Sequence, residues 1–350
     1  MEKLLIYGAN GYTGRLISQN SIKTQLSPIL AGRDNDSVGE LAQRLGLEYR
    51  VFDLNDSHRI DEGLKGVSCV LNCAGPFFQT SRPMVEASIR NHVHYLDITG
   101  EITVFEKLAA RDEEAKKAGV MLLPGVGFDV VPTDCLAAHL KARLPLAESL
   151  VLGLKINGSA SRGTIRTAFL SPVRKNVIRK DRIMREVSIA SRVRKIDFGN
   201  GQEWAIGIPW GDISTAYFST GIPNIEVYIA GSRKLFLLLI FNRLFGWSFN
   251  NSHVRKIIES CIDSMSDGPS VEERSQRNAI VWGQAQTREC ERVTTLMHTP
   301  EGYELTASTA LAVSQKVMAG KFRPGFQTPS RVYGKDFILE IKGVTRQDVL

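Results

Sequence analysis

The chain has 350 residues, 43% of them hydrophobic and 23% charged, with 30 Gly and 13 Pro. This is a globular mixture, and it excludes a collagen, a disordered tail and a disulfide scaffold. The five cysteines (Cys69, Cys73, Cys135, Cys261, Cys290) show neither CxxC nor zinc-ligand spacing, so no metal site is expected and reduced thiols in a cytoplasmic setting are. No charged-then-apolar leader precedes the first strand pattern.

The first third alternates short apolar runs with helical periodicity. Strands are expected at Leu4–Tyr7, Pro28–Ala31, Tyr49–Phe52, Cys69–Cys73, His94–Asp97 and Val120–Leu123. Helices are expected at Gly14–Lys23, Val38–Leu45, Ile60–Leu64, Met84–Asn91 and Val104–Lys117, with a further one over Cys135–Leu144 capped by Thr133 or Asp134. Such alternation predicts an α/β, doubly wound parallel sheet of the Rossmann type, whose strand carboxyl ends share one ligand-binding edge. From about residue 150 the pattern changes. Val151–Ile156, Ala279–Gln286 and Arg292–His298 alternate as strands and predict a second α+β domain on a mixed, mainly antiparallel sheet. We place the boundary between 1–133 and 134–350. The second region is expected to carry substrate and dimer contacts, and its C-terminal segment to pack back on the first.

Gly8-Ala-Asn-Gly-Tyr-Thr-Gly-Arg15 lies between the first strand and the first helix, the context a dinucleotide fingerprint requires. Gly8 permits the tight turn, Gly11 the approach of a pyrophosphate and Gly14 close helix packing. Asn10, Tyr12 and Thr13 complete the cradle, and the helix N-terminus supplies free amides. The second strand ends in Gly32-Arg33, where an NAD-binding fold carries an acid for the ribose 2′-OH. Arg33 suits a 2′-phosphate instead, so the expected cofactor is NADP(H), although Asp34 follows directly. Asp53, ending the third strand, is placed near the adenine. Asn72-Cys73-Ala74-Gly75-Pro76 ends the fourth strand, where the second half of the dinucleotide should lie. Cys73 has no neighbouring base to make it a nucleophile.

Tyr95, Asp97 and Glu101 follow on the fifth strand end, and Asp129 and Asp134 on the next loop. Acids there can relay a proton to a reduced substrate. Asp97 and Asp129 are the leading catalytic candidates, with Tyr95 and Glu101 behind them. His92 and His94 read as structural.

The net charge of +7 equals the surplus of Arg174–Lys195 alone, nine basic residues against Asp181 and Glu186. A local basic patch fits a local acidic partner: a carrier protein, coenzyme A or an anionic membrane. A solvated face is the plain alternative. No aromatics interleave with these residues and no nucleic-acid motif is present, so no nucleic-acid partner is expected. Leu235–Phe249 holds the longest apolar run, too short to span a bilayer. It reads as a buried helix or as an interfacial one making peripheral membrane contact.

Taken together, Gly8–Arg15, Leu30-Ala-Gly-Arg33, Asn72-Cys-Ala-Gly-Pro-Phe77, Tyr95-Leu-Asp-Ile-Thr-Gly-Glu101 and Gly125–Asp134 resemble the saccharopine dehydrogenase-like oxidoreductases. Gly268-Pro-Ser270, Val281-Trp-Gly283, Gly302–Ala307 and Pro324–Pro329 are similar to the trans-acting enoyl reductase branch. The resemblance implies NAD(P)H-dependent reduction, in that branch of a C=C bond in a polyketide, acyl or lipid-linked chain. An imine or ketone reductase, and a catalytically idle NADP-binding protein at a lipid surface, are the alternatives.

Overall fold

The computed structural model describes residues 3–24, 26–157, 161–163, 175–188, 191–231, 260, 264 and 267–349. The expectations for Leu235–Phe249, Arg174 and Cys261 lie outside the described residues. The chain divides into two compact units, Met1–Val131 with Tyr303–Ile341, and Pro132–Gly302 with Lys342–Leu350.

The first unit opens with β1 (Leu4–Tyr7), α1 (Tyr12–Ser21), β2 (Ile29–Gly32), α2 (Asn35–Leu45), β3 (Tyr49–Val51), α3 (Ser57–Gly63), β4 (Cys69–Asn72) and α4 (Phe77–Arg90). It continues through β5 (His94–Asp97), α5 (Ile102–Ala109), α6 (Asp112–Lys117) and β6 (Met121–Leu123). Every residue of β1, β2, β4 and β6 is buried. Helices cover both faces of such a sheet, so its strands read as unbroken apolar runs.

Three local expectations are corrected. The helix expected over Met84–Asn91 begins at Phe77, with Pro83 inside it. Its start is set by the Glu101 carboxylate, which accepts the Phe77 and Phe78 amides. The stretch Val104–Lys117 is two helices, broken where Arg111 leaves helical geometry. Thr133 and Asp134 lie within the first turn of α7 (Val131–Arg143) and not before its start.

The second unit holds α7, β7 (Ser149–Ile156), β8 (Asn176–Lys180), β9 (Ile183–Val187), β10 (Val193–Asp197), β11 (Gln202–Gly207), α8 (Asp212–Thr220) and β12 (Asn224–Ala230). Then follow α9 (Val271–Ser275), β13 (Asn278–Gln286) and β14 (Arg292–Pro300). The chain re-enters the first unit with α10 (Gly302–Met318), β15 (Gly325–Phe326) and α11 (Pro329–Tyr333), and ends in β16 (Thr345–Val349).

The first sheet has the order β15-β6-β5-β4-β1-β2-β3, and all its pairs are parallel. Strand order reverses between β1 and β4, the switch point at which such sheets bind ligands. The second sheet runs β10-β11-β12-β7-β13-β14-β16, with the β8–β9 hairpin on β12. Only the β7–β12 pair is parallel there among the described strands. Ile196, Phe198, Tyr228, Ile280 and Trp282 pack one core of this unit. Gly283 leaves room for Leu136 and Leu140 of α7; a Cβ there would lie 2.6 Å from Leu140 Cδ1.

Candidate functional site

The glycine turn follows from backbone demands. Gly8 has φ +77°, and a Cβ on it would lie 2.8 Å from the Ala74 nitrogen. The turn is closed by Gly8 N–H and Ala9 N–H donating to Ala31 O at 2.8 and 3.1 Å, and by Gly11 N–H donating to Gly8 O at 3.1 Å. A Cβ on Gly14 would collide with the Gly8 carbonyl, so α1 packs against the turn only because residue 14 is glycine. Gly11 is the N-cap of α1 and no side chain caps that helix end. An uncapped helix N-terminus of this kind suits an anion. Arg15 donates to Asn10 O at 2.9 Å, which fixes the far side of the turn. Tyr12 meets Tyr303 of α10 edge-on, ring centroids 5.0 Å apart. Thr13 is half-buried in the first turn of α1. This cradle, with its bare helix end and its glycines at contact positions, fits the pyrophosphate of a dinucleotide.

At the end of β2, a Cβ on Gly32 would press on Val38 Cγ2 at 2.9 Å and on Asn10 Oδ1 at 3.2 Å. Arg33 is exposed. Asp34 caps α2, its Oδ1 accepting Ser37 N–H at 2.9 Å, and the Ser37 amide holds this carboxyl below its usual range. The acid beside Arg33 is thus engaged by the helix. Half-buried Asp53 accepts Asn55 N–H at 2.8 Å. Burial, then Asp53, push the Tyr7 hydroxyl up to about 12, and Arg33 opposes them. Arg33, Asp53 and Tyr7 therefore share one corner of the sheet edge.

Beyond β4, Asn72 is buried and fully used by the fold. Its Oδ1 accepts Ala74 N–H at 3.0 Å, while Nδ2 donates to Thr80 Oγ1 and to the Tyr95 hydroxyl, both at 3.3 Å. Thr80 in turn donates to Ala74 O at 2.5 Å. The Cys73-Ala74-Gly75-Pro76 loop is held from below and stays partly open. Burial and the neighbouring Asp97 both raise the Cys73 thiol, so it is no thiolate at neutral pH.

The carboxylates divide by environment. Asp97 is wholly buried. Its Oδ1 accepts Thr99 N–H at 3.0 Å and Gly125 N–H at 2.9 Å, and its Oδ2 accepts the Tyr95 hydroxyl at 2.8 Å. Burial outweighs these bonds and raises Asp97 to about 7. Tyr95 is pushed well above its ordinary value by burial, then by Asp97. Glu101 accepts Phe77 N–H at 2.7 Å and Phe78 N–H at 3.0 Å, a charged cap on α4, and burial leaves it raised. Asp129 is partly buried on the loop after β6 and raised to about 6 by desolvation. It sits against Gly100, where a Cβ would lie 2.7 Å from its Oδ2. Asp134 belongs to the other unit and accepts the Ser219 hydroxyl.

Sequence reasoning did not reach two supports of this edge. Thr306 of α10 accepts Phe128 N–H at 3.0 Å, and Thr309 donates to Val126 O at 2.8 Å. Helix α10 thereby braces the Gly125–Asp129 loop. The motif Gly302–Ala307 carried that signal only as a family likeness. No group of His, Cys, Asp and Glu suited to a metal exists among the described residues. No helix among them is long and apolar enough to cross a membrane.

A parallel sheet with a glycine turn at its switch point defines a dinucleotide-binding domain. Residues 4–123 match the family described as saccharopine dehydrogenase NADP binding domain. This part of the chain is similar to that family, whose described nucleotide is NADP. The mouse saccharopine dehydrogenase-like oxidoreductase is 29% identical over 151 residues, 37% of this chain and 35% of that protein. The trans-acting enoyl reductase of Mycobacterium ulcerans (strain Agy99) is 28% identical over 182 residues, 47% of this chain and 43% of that protein. The matched stretch thus spans well under half the length of either relative. Among solved structures, apo saccharopine dehydrogenase (L-Glu forming) from Saccharomyces cerevisiae aligns over all of both chains with a TM-score of 0.66 at 12% identity. That likeness is one of fold.

Proposed function

We propose that the protein is an NADP(H)-dependent oxidoreductase that reduces a C=C bond conjugated to a carbonyl in an acyl, polyketide or lipid-linked substrate. Partial identity to a trans-acting enoyl reductase supports this choice of bond. The observation that carries the reading is Asp129: a carboxyl raised to about 6 on the loop after β6, at the carboxyl edge of the parallel sheet that begins with the glycine turn.

In this reading the α1 amides hold the pyrophosphate, Arg33 the 2′-phosphate, Asp53 the adenine side, and the Cys73–Pro76 loop borders the nicotinamide ribose. Bound NADPH supplies a hydride, and with it two electrons, to the substrate carbon β to the carbonyl. Asp129 holds the proton that the α-carbon takes up, and recovers it from water. Asp97 is a positioning residue: both its oxygens are occupied, and they tie β5 to the loop that bears Asp129. The sheet edge contributes orientation and proton supply.

For the partner, the β8–β9 hairpin presents Lys180, Arg182 and Arg185 to solvent. Its turn residues Asp181 and Arg182 have φ of 52° and 69°. That turn is pinned by Asp181 N–H on Asn224 Oδ1 at 3.0 Å and Arg182 N–H on Pro223 O at 2.9 Å. A fixed cationic tip suits an acidic carrier or coenzyme A, acting mainly on association rate. Arg179 is not part of that surface. It is buried, donates to Ile213 O and Arg182 O at 2.8 and 2.7 Å, and lies over the Tyr217 ring.

The test is turnover. A trans-2-enoyl thioester with NADPH should give loss of nicotinamide absorbance and a product two mass units heavier. Reduction of imines or ketones with no reduction of any enoyl thioester would refute the C=C assignment.

A further inference from the structure

The amino-terminal edge of the first sheet carries a second feature, at the opposite ends of the strands from the glycine turn. An open groove of ≈ 540 Å³ is lined by Lys316, Lys321, Phe322, Arg323, Arg331 and Tyr333, together with Val332. Phe322 packs at a tilt against His94, the first residue of β5, with ring centroids 4.0 Å apart.

The walls are fixed by local structure. Gly320, at φ +75°, ends α10 in the left-handed region, so the chain doubles back as Lys321-Phe322-Arg323. Lys321 N–H donates to Lys316 O at 2.9 Å, and the Tyr333 hydroxyl donates to Lys321 O at 3.1 Å. His94 Nδ1 accepts Met121 N–H at 3.1 Å, which holds the ring under Phe322.

Four cations line the groove, and two of them have no acidic partner among the described residues. Lys316 pairs with Glu340 at 2.8 Å and lies over the Tyr333 and Phe337 rings. Asp112, which lies near Arg331, is itself paired with Lys116 at 2.7 Å. Lys321 and Arg323 are exposed and make no ion pair among the described residues. A surplus of cations around a concave surface forms a positive potential that a phosphate group relieves. The volume falls in the range of small-ligand sites, and the exposed Phe322 and half-buried Tyr333 give ring surface beside the charges.

We propose that this groove binds a phosphate-bearing small molecule of about nucleotide size, at a site separate from the dinucleotide cradle. The shared chemistry is a phosphate monoester or pyrophosphate group, whether on a free metabolite or on a lipid headgroup.

The test uses the full chain saturated with NADPH, so that the cradle is filled. Inorganic pyrophosphate and AMP are titrated by calorimetry, and phosphatidic acid vesicles by co-sedimentation. The double variant Lys321→Ala/Arg323→Ala removes only exposed, unpaired charges; Lys321→Gln serves as the milder change. Saturable binding of pyrophosphate or AMP, weakened about tenfold or more in the double variant with NADPH affinity unchanged, supports a free phosphate ligand. Vesicle binding alone, lost in the double variant, supports a lipid headgroup. Absence of binding to all three probes, or binding that the double variant leaves unchanged, overturns the proposal.

Discussion

Asp97 Oδ1 accepts the Gly125 amide at 2.9 Å, so the end of β5 is fastened to the loop that follows β6. A buried acid placed there has a consequence for stability. Burial raises Asp97 to about 7 in the fold, while in an unfolded chain an Asp titrates near about 3.9. The contribution is therefore full below about pH 4 and is lost as pH rises through about 7. Asp97→Asn removes that titration. The unfolding free energy of wild type minus variant should fall between about pH 4 and pH 7, by at most about 4 kcal/mol, in urea titrations. A difference that rises with pH would contradict the assignment.

Glu101 bonds the first two amides of α4. Glu101→Ala should cost about 1–2 kcal/mol, the scale of a lost helix cap assisted by charge. Thermal and urea unfolding check this. An unchanged midpoint would show that α4 does not depend on this carboxylate.

Arg33 stands exposed where an NAD-binding strand ends in an acid, and Asp34 is occupied as the α2 cap. Arg33→Ala should weaken NADPH binding by about 1.5–3 kcal/mol, the worth of a charge-assisted bond, and leave NADH nearly unchanged. Nucleotide fluorescence titration reads both. Equal losses for the two nucleotides would remove Arg33 from the 2′-phosphate.

Asp129 must be protonated to donate. With its carboxyl at about 6, the rate of enoyl reduction should fall as pH rises above that value. Asp129→Asn should lower kcat about 10²-fold or more, keep NADPH affinity within about twofold, and lose this descending limb. A variant that keeps the limb at the same pH would assign the proton to another group.

The parallel sheet was legible because its strands are short, apolar on both faces and separated by amphipathic helices; Leu4–Tyr7 and His94–Asp97 stand in the structure as the pattern predicts, and the strand expected at Cys69–Cys73 ends one residue earlier. The glycine turn was legible because Gly8 and Gly14 answer backbone demands that no other residue meets. Less legible was whatever depends on distant partners. Periodicity starts the fourth helix after Pro83, since it cannot register that Glu101 stabilises an earlier start. The two residues of β15 carry no strand pattern of their own and exist by pairing with β6. Arg179 counts as one charge of a basic patch in sequence, and only packing reveals that it is buried against Tyr217. For the acids, residue type gave candidates, whereas only the structure shows that Asp97 has both oxygens held and that Asp129 lies against Gly100.

The most direct test is a crystal structure of the protein with NADP⁺. The pyrophosphate is expected on the Gly11–Gly14 amides and the nicotinamide against Cys73–Phe77, Tyr95–Glu101 or Gly125–Asp129. A nicotinamide more than about 8 Å from all three segments, beyond contact and one bridging water, would contradict it.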